Sequence, residues 1–197
     1  QGFGGVSGFG GLIDRGGKDT YTANDSVIDF PSPQTKEHNI SMAQGAASGR
    51  RADYIDGHSL SGGIGILYDD YGDDRYVCGV FGQGVGYWEG TGILWDEAGN
   101  DSYLGQWYVQ GASALFGIGM LEDGSGDDQL DAKMNMAQGA GHDFGFGILL
   151  NEAGADTYNA PNLSLGAGNA NGFGIFVDTA GDDKYQSSGT TLGRAAE

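Results

Sequence analysis

The segment Gly63-Ile64-Gly65-Ile66-Leu67-Tyr68-Asp69-Asp70-Tyr71-Gly72-Asp73-Asp74-Arg75-Tyr76 carries the pattern that decides the fold. It has the form G-x-G-h-h-x-D-x-x-G-x-D-x-Y, in which h is an apolar residue. The same frame returns in residues 8–21, 90–103, 117–130, 145–158 and 172–185. The second glycines of the last five copies, Gly65, Gly92, Gly119, Gly147 and Gly174, lie 27, 27, 28 and 27 residues apart. Self-similarity at a fixed period in the twenties predicts a solenoid.

Each regular copy offers short strand-like runs separated by corners that contain glycine. The runs lie around Ile66-Leu67, around Tyr76, and from Phe81 to Val85, and no helical period accompanies them. We therefore expect an all-β fold, a parallel β-solenoid (β-helix) of about six coils with three sides. Equivalent positions of successive coils should stack about 4.8 Å apart, so that each repeat position becomes a row of side chains.

The first coil departs from the period because two segments are inserted in it. They span roughly residues 22–39 and 48–61, and residues 1–197 otherwise form a single solenoid domain. Insertions in a repeat array map to loops on one face, which are either functional or merely tolerated surface loops and caps. Because the chain starts and stops in the middle of a repeat, we also expect it to be a piece of a longer repeat protein.

The composition excludes several classes of partner. Nine basic residues stand against 27 acidic ones, for a net charge of −18, which argues against nucleic acid and against an anionic membrane surface. No apolar run reaches the length of about 20 residues that a membrane helix needs, so no membrane insertion is expected. The lone Cys78 cannot form an internal disulfide. Rigidity must then come from stacking or from a metal.

Two neighbouring rows in the first run are apolar. They consist of Leu12, Leu67, Leu94, Leu121, Leu149 and Phe176, and of Ile66, Ile93, Met120, Ile148 and Ile175, with Gly11 in the first copy. Adjacent strand residues face opposite ways. One row should therefore line the lumen, while the other contacts a partner or the inserted loops, and the sequence leaves open which row does which.

Two further rows are interpreted as structural. A glutamine row continues as leucine in the last coils (Gln1, Gln44, Gln83, Gln110, Gln138, Leu165 and Leu192), which indicates an inward position where stacked amides bond to one another. A tyrosine row (Tyr21, Tyr76, Tyr103, Tyr158 and Tyr185, with Leu130) is interpreted as an aromatic stack at a corner.

Two rows of acidic residues flank the corner glycine. The first row is Asp14, Asp69, Asp96, Asp123, Asn151 and Asp178, and the second row is Asp19, Asp74, Asp101, Asp128, Asp156 and Asp183. Like charges at a strand spacing repel, and the few Lys and Arg residues, which lie off the register, cannot neutralise them. Oxygen-only ligands are those that Ca²⁺ selects, so these twelve residues are predicted metal ligands. The alternative is that the carboxylates only accept hydrogen bonds from corner amides, as in Asx-turns.

The corners also resemble a known family. The segments GGKDTYTAN (residues 16–24), YGDDRYVCG (71–79), AGNDSYLGQ (98–106), SGDDQLDAK (125–133), AGADTYNAP (153–161) and AGDDKYQSS (180–188) are similar to the RTX nonapeptide G-G-x-G-x-D-x-U-x, here with one motif per coil. The resemblance implies Ca²⁺ bound by the second aspartate row and by corner carbonyls. It further implies folding that depends on calcium, typically outside the cell.

Two functions are compatible with these observations. The first is a non-enzymatic extracellular or cell-surface module, structural or adhesive and stabilised by calcium. Its partners would be further copies of the chain, bound end to end or laterally through an apolar face, or a surface glycan. The second is a carbohydrate-active enzyme similar to a polysaccharide lyase. Its site would lie among Glu37, His38, Arg50, Arg51, Asp53 and His58 in the insertions.

Overall fold

The computed structural model describes residues 1–189 together with the backbone of Ala195–Ala196. In this part of the chain the secondary structure consists of short strands, turns and bridges, without helices. Accordingly, the described residues hold no helix long and apolar enough to cross a bilayer. All strand pairings between coils are parallel. The predicted fold class, an all-β parallel β-solenoid, is confirmed.

The strands follow one another in a fixed order through each coil. They are β1 (Phe9–Ile13), β2 (Thr20–Thr22), β3 (Ile40–Ala43), β4 (Ala47–Ser48), β5 (Ile64–Asp69), β6 (Arg75–Val77), β7 (Val80–Gly82), β8 (Gly86–Tyr87), β9 (Thr91–Asp96), β10 (Ser102–Gly105), β11 (Trp107–Val109), β12 (Ser113–Ala114), β13 (Ile118–Asp123), β14 (Gln129–Ala132), β15 (Gly141–His142), β16 (Phe146–Asn151), β17 (Thr157–Ala160), β18 (Gly168–Asn169), β19 (Phe173–Asp178), β20 (Lys184–Ser187) and β21 (Ala195–Ala196).

These strands stack into four sheets. Sheet I holds β1, β5, β9, β13, β16 and β19, and sheet II holds β2, β6, β10, β14, β17 and β20. Sheet III holds β3, β7 and β11, and sheet IV holds β4, β8, β12, β15, β18 and β21. The register follows the sequence period, since Gly65 pairs with Gly92 and Asp69 with Asp96. The six strands of sheet I bound about five complete turns, slightly fewer than the expected six coils.

The expected three-sided cross-section is corrected to four strand-bearing sides. The predicted run from Phe81 to Val85 is interrupted, because Gln83 and Gly84 have φ angles of 57° and 76°. This left-handed pair turns the chain between β7 and β8 and separates sheet III from sheet IV. A left-handed conformation is uncommon for a residue other than glycine, so the residue type at position 83 gave no sign of the corner.

The lumen between sheets I and II contains the leucine and tyrosine rows. Leu67, Leu94, Leu121 and Leu149 are fully buried there and pack against the tyrosines. Neighbouring tyrosine rings stack, with 4.8 Å between the ring centroids of Tyr76 and Tyr103. The open assignment of the two apolar rows is thereby settled: the leucine row lines the lumen, and the isoleucine row faces outward, half-buried or exposed.

The glutamine row points inward as predicted, but its bonding differs from the prediction. Gln83 Nε2 donates to the carbonyl oxygens of Tyr76 and Leu104, and Gln110 Nε2 donates to those of Tyr103 and Asp131. The amides therefore tie sheet III to sheet II across the lumen instead of bonding to one another. The last member of the row, Leu192, lies outside the described residues.

The two insertions are short loops closed by antiparallel bridges. The first is closed by the bridge between Pro31 and Asn39, and the side chain of Asn39 bonds four backbone groups within it. The second is closed by the bridge between Arg50 and Leu60. Both loops reach a cavity on the outer side of sheets III and IV, because Pro33 and Arg51 line it. They leave the outer face of sheet I uncovered.

Candidate metal centre

The corner between sheets I and II brings successive coils into very close contact. A Cβ atom on Gly99 would lie 1.5 Å from the carbonyl oxygen of Gly72, and one on Gly126 would lie 1.3 Å from that of Gly99. Glycine is therefore required in this row because the backbone of the preceding coil occupies the space of a side chain. The close stacking brings the two aspartate rows on either side of the glycine together.

The second aspartate row forms a ladder with the backbone. Each Oδ1 accepts a hydrogen bond from the amide of the equivalent aspartate one coil earlier, as Asp101 does from Asp74 and Asp128 does from Asp101. Asp74, Asp156 and Asp183 repeat the same contact. The amide-capping alternative is thus correct for one oxygen of each of these carboxylates, although the bond joins two coils rather than closing a local turn.

The first aspartate row is held by the tyrosine row. The hydroxyl of Tyr76 donates to Asp96 Oδ2 at 2.6 Å, and that of Tyr103 donates to Asp123 Oδ2 at 2.6 Å. Tyr21 bonds Asp69 and Tyr158 bonds Asp178 in the same way. The tyrosines are therefore more than an aromatic stack, because they fix the orientation of the carboxylates in the next coil.

The sequence holds a signal for this pairing that the row-by-row interpretation missed. Leu130 stands where the tyrosine row lacks a hydroxyl, and Asn151 stands where the first aspartate row lacks a carboxylate. The two exceptions belong together, since Leu130 of β14 occupies the position before Asn151 that Tyr103 occupies before Asp123. Where one coil lacks the hydroxyl donor, the next coil lacks the acid that would accept from it.

Seven aspartates of the two rows retain one buried oxygen without a hydrogen-bond partner among the described residues. In the first row these atoms are the Oδ1 atoms of Asp69, Asp96, Asp123 and Asp178, and in the second row they are the Oδ2 atoms of Asp74, Asp101 and Asp128. The side chains of Asp96, Asp101 and Asp123 are 0–2% exposed. Leaving a buried acceptor unpaired costs about 1–3 kcal/mol, and more when it is charged. A bound cation or a proton is therefore needed to pair with these carboxylate oxygens.

The unpaired acids lie in groups. Within the described residues, four sets of three aspartates have ligand atoms within 4.8 Å of one another: Asp14, Asp19 and Asp69; Asp74, Asp96 and Asp101; Asp101, Asp123 and Asp128; and Asp156, Asp178 and Asp183. All eleven aspartates predicted as ligands belong to one of these sets, and Asp101 belongs to two. Asn151 is fully buried at the equivalent position of its coil.

Burial shifts the acid–base equilibria of these groups strongly. Burial, reinforced by the charge of Asp96, raises the pKa of Asp101 to about 8. Burial likewise raises the pKa of Asp96 to about 7 and those of Asp74 and Asp156 to about 6, and it raises the pKa of Asp123 well above the ordinary range. Near neutral pH, ionising a whole cluster is therefore unfavourable unless a cation takes the place of the protons.

The donor set fits a hard cation. Each cluster offers carboxylate oxygens, and histidine and cysteine do not contribute to the four sets found among the described residues. Oxygen-only coordination suits Ca²⁺, Mg²⁺ or Mn²⁺ and disfavours zinc and copper. The clusters could therefore hold divalent cations, with one oxygen of most of these acids already oriented by a tyrosine or by a backbone amide.

The acidic and basic residues of the insertions serve mainly to hold the loops. His38 Nδ1 lies 2.6 Å from Asp25 Oδ2, and Arg50 pairs with Asp56 at 2.7 Å. Arg51 pairs with Asp53 and also lines the cavity of about 590 Å³ beside sheets III and IV, together with Phe81 and Tyr87. The aspartate clusters lie at a different corner, between sheets I and II. The structure thus does not bring the insertion residues and the acids into one site.

Comparison with family models, curated proteins and solved structures gives no match to this chain.

Proposed function

We propose that the chain is a non-enzymatic structural or adhesive module whose solenoid is stabilised by calcium. The observation that carries this proposal is the grouping of aspartates in threes at the corner between sheets I and II, where seven buried carboxylate oxygens have no partner among the described residues. A catalytic metal would require one site with an open position, whereas four similar clusters spread along the axis suit a cation that binds the coils together.

Calcium is favoured over other hard cations by the resemblance of the corners to RTX repeats. Their ligand pattern differs from that resemblance in one respect, since each cluster also contains an aspartate of the first row, such as Asp96 or Asp123, whose carboxylate is oriented by a tyrosine hydroxyl. Extracellular calcium is abundant enough to saturate weak sites, so an extracellular or cell-surface location is proposed with it. The net charge of −18 suits a soluble surface there.

The proposal is tested by thermal unfolding, followed by circular dichroism, in calcium and in excess EGTA. Each site that binds only the folded chain adds about 2.7 kcal/mol when the free calcium is 100 times its dissociation constant. We expect a large rise in melting temperature with calcium, reversed by EGTA. An identical melt in both conditions would contradict the proposal.

Asp101→Asn is the sharpest variant because Asp101 belongs to two clusters. Asparagine keeps an oxygen that can accept the Asp74 amide bond but removes the charge. We expect this variant to lose much of the calcium response. The matched control is Asp182→Asn, which removes the same charge from an exposed acid at the last corner. An equal calcium response in Asp101→Asn and in the unmodified chain would mean that the calcium ions bind outside the aspartate clusters.

A further inference from the structure

The outer face of sheet I is an apolar surface that no part of the described chain covers. Three columns of outward side chains run along it: Phe9, Ile64, Thr91, Ile118, Phe146 and Phe173; then Gly11, Ile66, Ile93, Met120, Ile148 and Ile175; then Ile13, Tyr68, Trp95, Glu122, Leu150 and Val177. We call this surface the sheet I face. Fifteen of its eighteen residues are large and apolar, and Glu122 is its one charged side chain.

Exposure along this face is high for a monomer. Phe9 is 72% exposed and Phe173 is 63% exposed, and Phe116 and Phe144 continue the surface around the adjoining corner, stacked at 5.1 Å. Six strands about 4.8 Å apart, with six residues rising about 3.3 Å each, give a face of about 570 Å². The largest apolar patch on a typical monomer is about 300–600 Å², so this face is at the upper limit.

We propose that a second copy of the chain packs against the sheet I face, forming a two-fold symmetric dimer of stacked sheets. Two such faces would bury about 1,100 Å² in total, just above the roughly 1,000 Å² that a specific interface should clear. Homodimer interfaces are more apolar than the general protein surface, and transient interfaces with unrelated partners are not. The composition of this face therefore suits an interface between two copies of the chain.

Two arrangements of the copies bring the faces together. A two-fold axis along the strands sets the edge that holds Asp70 and Glu152 against the same edge of the partner copy. A two-fold axis parallel to the solenoid axis sets Glu97 of that edge against the opposite edge, where Glu89 shares a row with Phe116. Each arrangement therefore opposes one pair of acidic side chains, and crosslinking decides between them.

This dimer rests on the proposed structural role, of which it specifies the lateral self-association. Its contacts do not involve calcium, so failure of the calcium proposal and failure of the dimer proposal can be distinguished. The first test is the molar mass by light scattering over a range of concentrations, in calcium and in EGTA. We expect twice the chain mass of 20.4 kDa. A monomer at all concentrations would overturn the proposal, as would a larger open assembly.

The face is then tested with Ile93→Lys, in the central column. Ile93 points away from the lumen, so the variant should keep the circular dichroism spectrum of the unmodified chain while becoming monomeric. The control is Ser102→Lys, on the outer side of β10 in sheet II, which should remain dimeric. A dimer that persists in folded Ile93→Lys would mean that another surface makes the contact.

The arrangement of the two copies is tested with Ile175→Cys in the last described coil. With the two-fold axis parallel to the solenoid axis, Ile175 faces its own counterpart, whereas an axis along the strands separates the two residues by about five strand spacings, or about 24 Å. A short bis-maleimide therefore links the copies only in the first arrangement. Cys78 is buried and should not react, and Ser187→Cys on sheet II serves as the exposed control. Linking of Ile175→Cys would assign the axis along the solenoid, and a folded dimer that it fails to link would assign the axis along the strands.

Discussion

At the scale of single residues, the decisive contact joins a tyrosine of one coil to an aspartate of the next. Tyr103 and Asp123 are both fully buried, and their hydrogen bond leaves the other carboxylate oxygen free for a cation or a proton. The chain contains its own variant of this pair in Leu130 and Asn151, where donor and acid disappear together. Tyrosine thus acts as a positioning residue for the acid rows.

Replacing Tyr103 by phenylalanine should destabilise the protein by about 1–3 kcal/mol, because it leaves a second oxygen of Asp123 without a donor. Adding Asp123→Asn should recover part of this loss, since the pair then approaches Leu130 and Asn151. A double-mutant cycle in urea measures this coupling. Tyr68→Phe is the control, because the Tyr68 hydroxyl bonds Asp70 at a more exposed position. Additive effects of the two substitutions would contradict the proposed pairing.

The raised pKa values of the aspartates predict how stability depends on pH when calcium is absent. The ordinary pKa of an aspartate is 3.8, and in the folded chain it is raised to about 6 for Asp74, about 7 for Asp96 and about 8 for Asp101. The folded state therefore binds more protons than the unfolded state between about pH 4 and pH 8. The stability from these groups is fully present below pH 3.8 and is lost as the pH rises through 6 to 8.

In EGTA, the melting temperature should therefore fall as the pH is raised from 5 to 8. Calcium should reduce this fall, because the cation binds the ionised clusters that the rising pH creates. The measurement is a series of thermal melts at several pH values, with and without calcium, for the unmodified chain and for Asp182→Asn. A melting temperature in EGTA that rises over this interval would mean that the acids are ionised and satisfied without a cation.

At the scale of strands and corners, the spacing of the sequence repeats predicted more of the structure than the residue types did. The spacing between Gly65 and Gly92 predicted the register of sheet I, since stacking is the way a repeat buries its apolar side chains. The corner at Gln83 was not predictable, because a left-handed glutamine has no signature in sequence. The same corner explains why the expected bonds between amides fail to form: from it, the amide reaches carbonyls of sheet II.

In the glutamine row, Leu165 stands in place of a glutamine, which suggests a test of what the amides contribute to stability. Gln110 donates to two carbonyls across the lumen, but its Oε1 has no partner among the described residues. Gln110→Leu removes an unpaired oxygen along with the two bonds, so we expect a change of no more than about 1 kcal/mol. Gln110→Ala should cost about 2–5 kcal/mol, because it also leaves a cavity. Urea unfolding compares the two, and equal losses would mean that the amide bonds rather than packing hold this position.

At the scale of the whole molecule, the acids divide into two populations that differ in their surroundings. The two aspartate rows are turned inward and aligned, whereas Asp70, Glu97, Glu152 and Asp182 lie on the surface. The sequence predicted the rows and their spacing but not this division, because both populations have the same residue types at the same corners. Which acids are buried follows from the alternation of strand residues and from the tyrosine and amide donors that reach them.

These two populations predict different responses to salt. Repulsion among the exposed acids is screened by any electrolyte, since the Debye length falls to about 8 Å at physiological ionic strength. The buried clusters are screened much less and respond to an ion that enters them. Sodium chloride should therefore raise the melting temperature modestly, and calcium chloride at the same ionic strength should raise it much further. In Asp101→Asn, the calcium increment should shrink while the sodium increment is unchanged. Equal increments from the two salts in the unmodified chain would mean that cations act only through the surface, and that the buried aspartates retain protons instead.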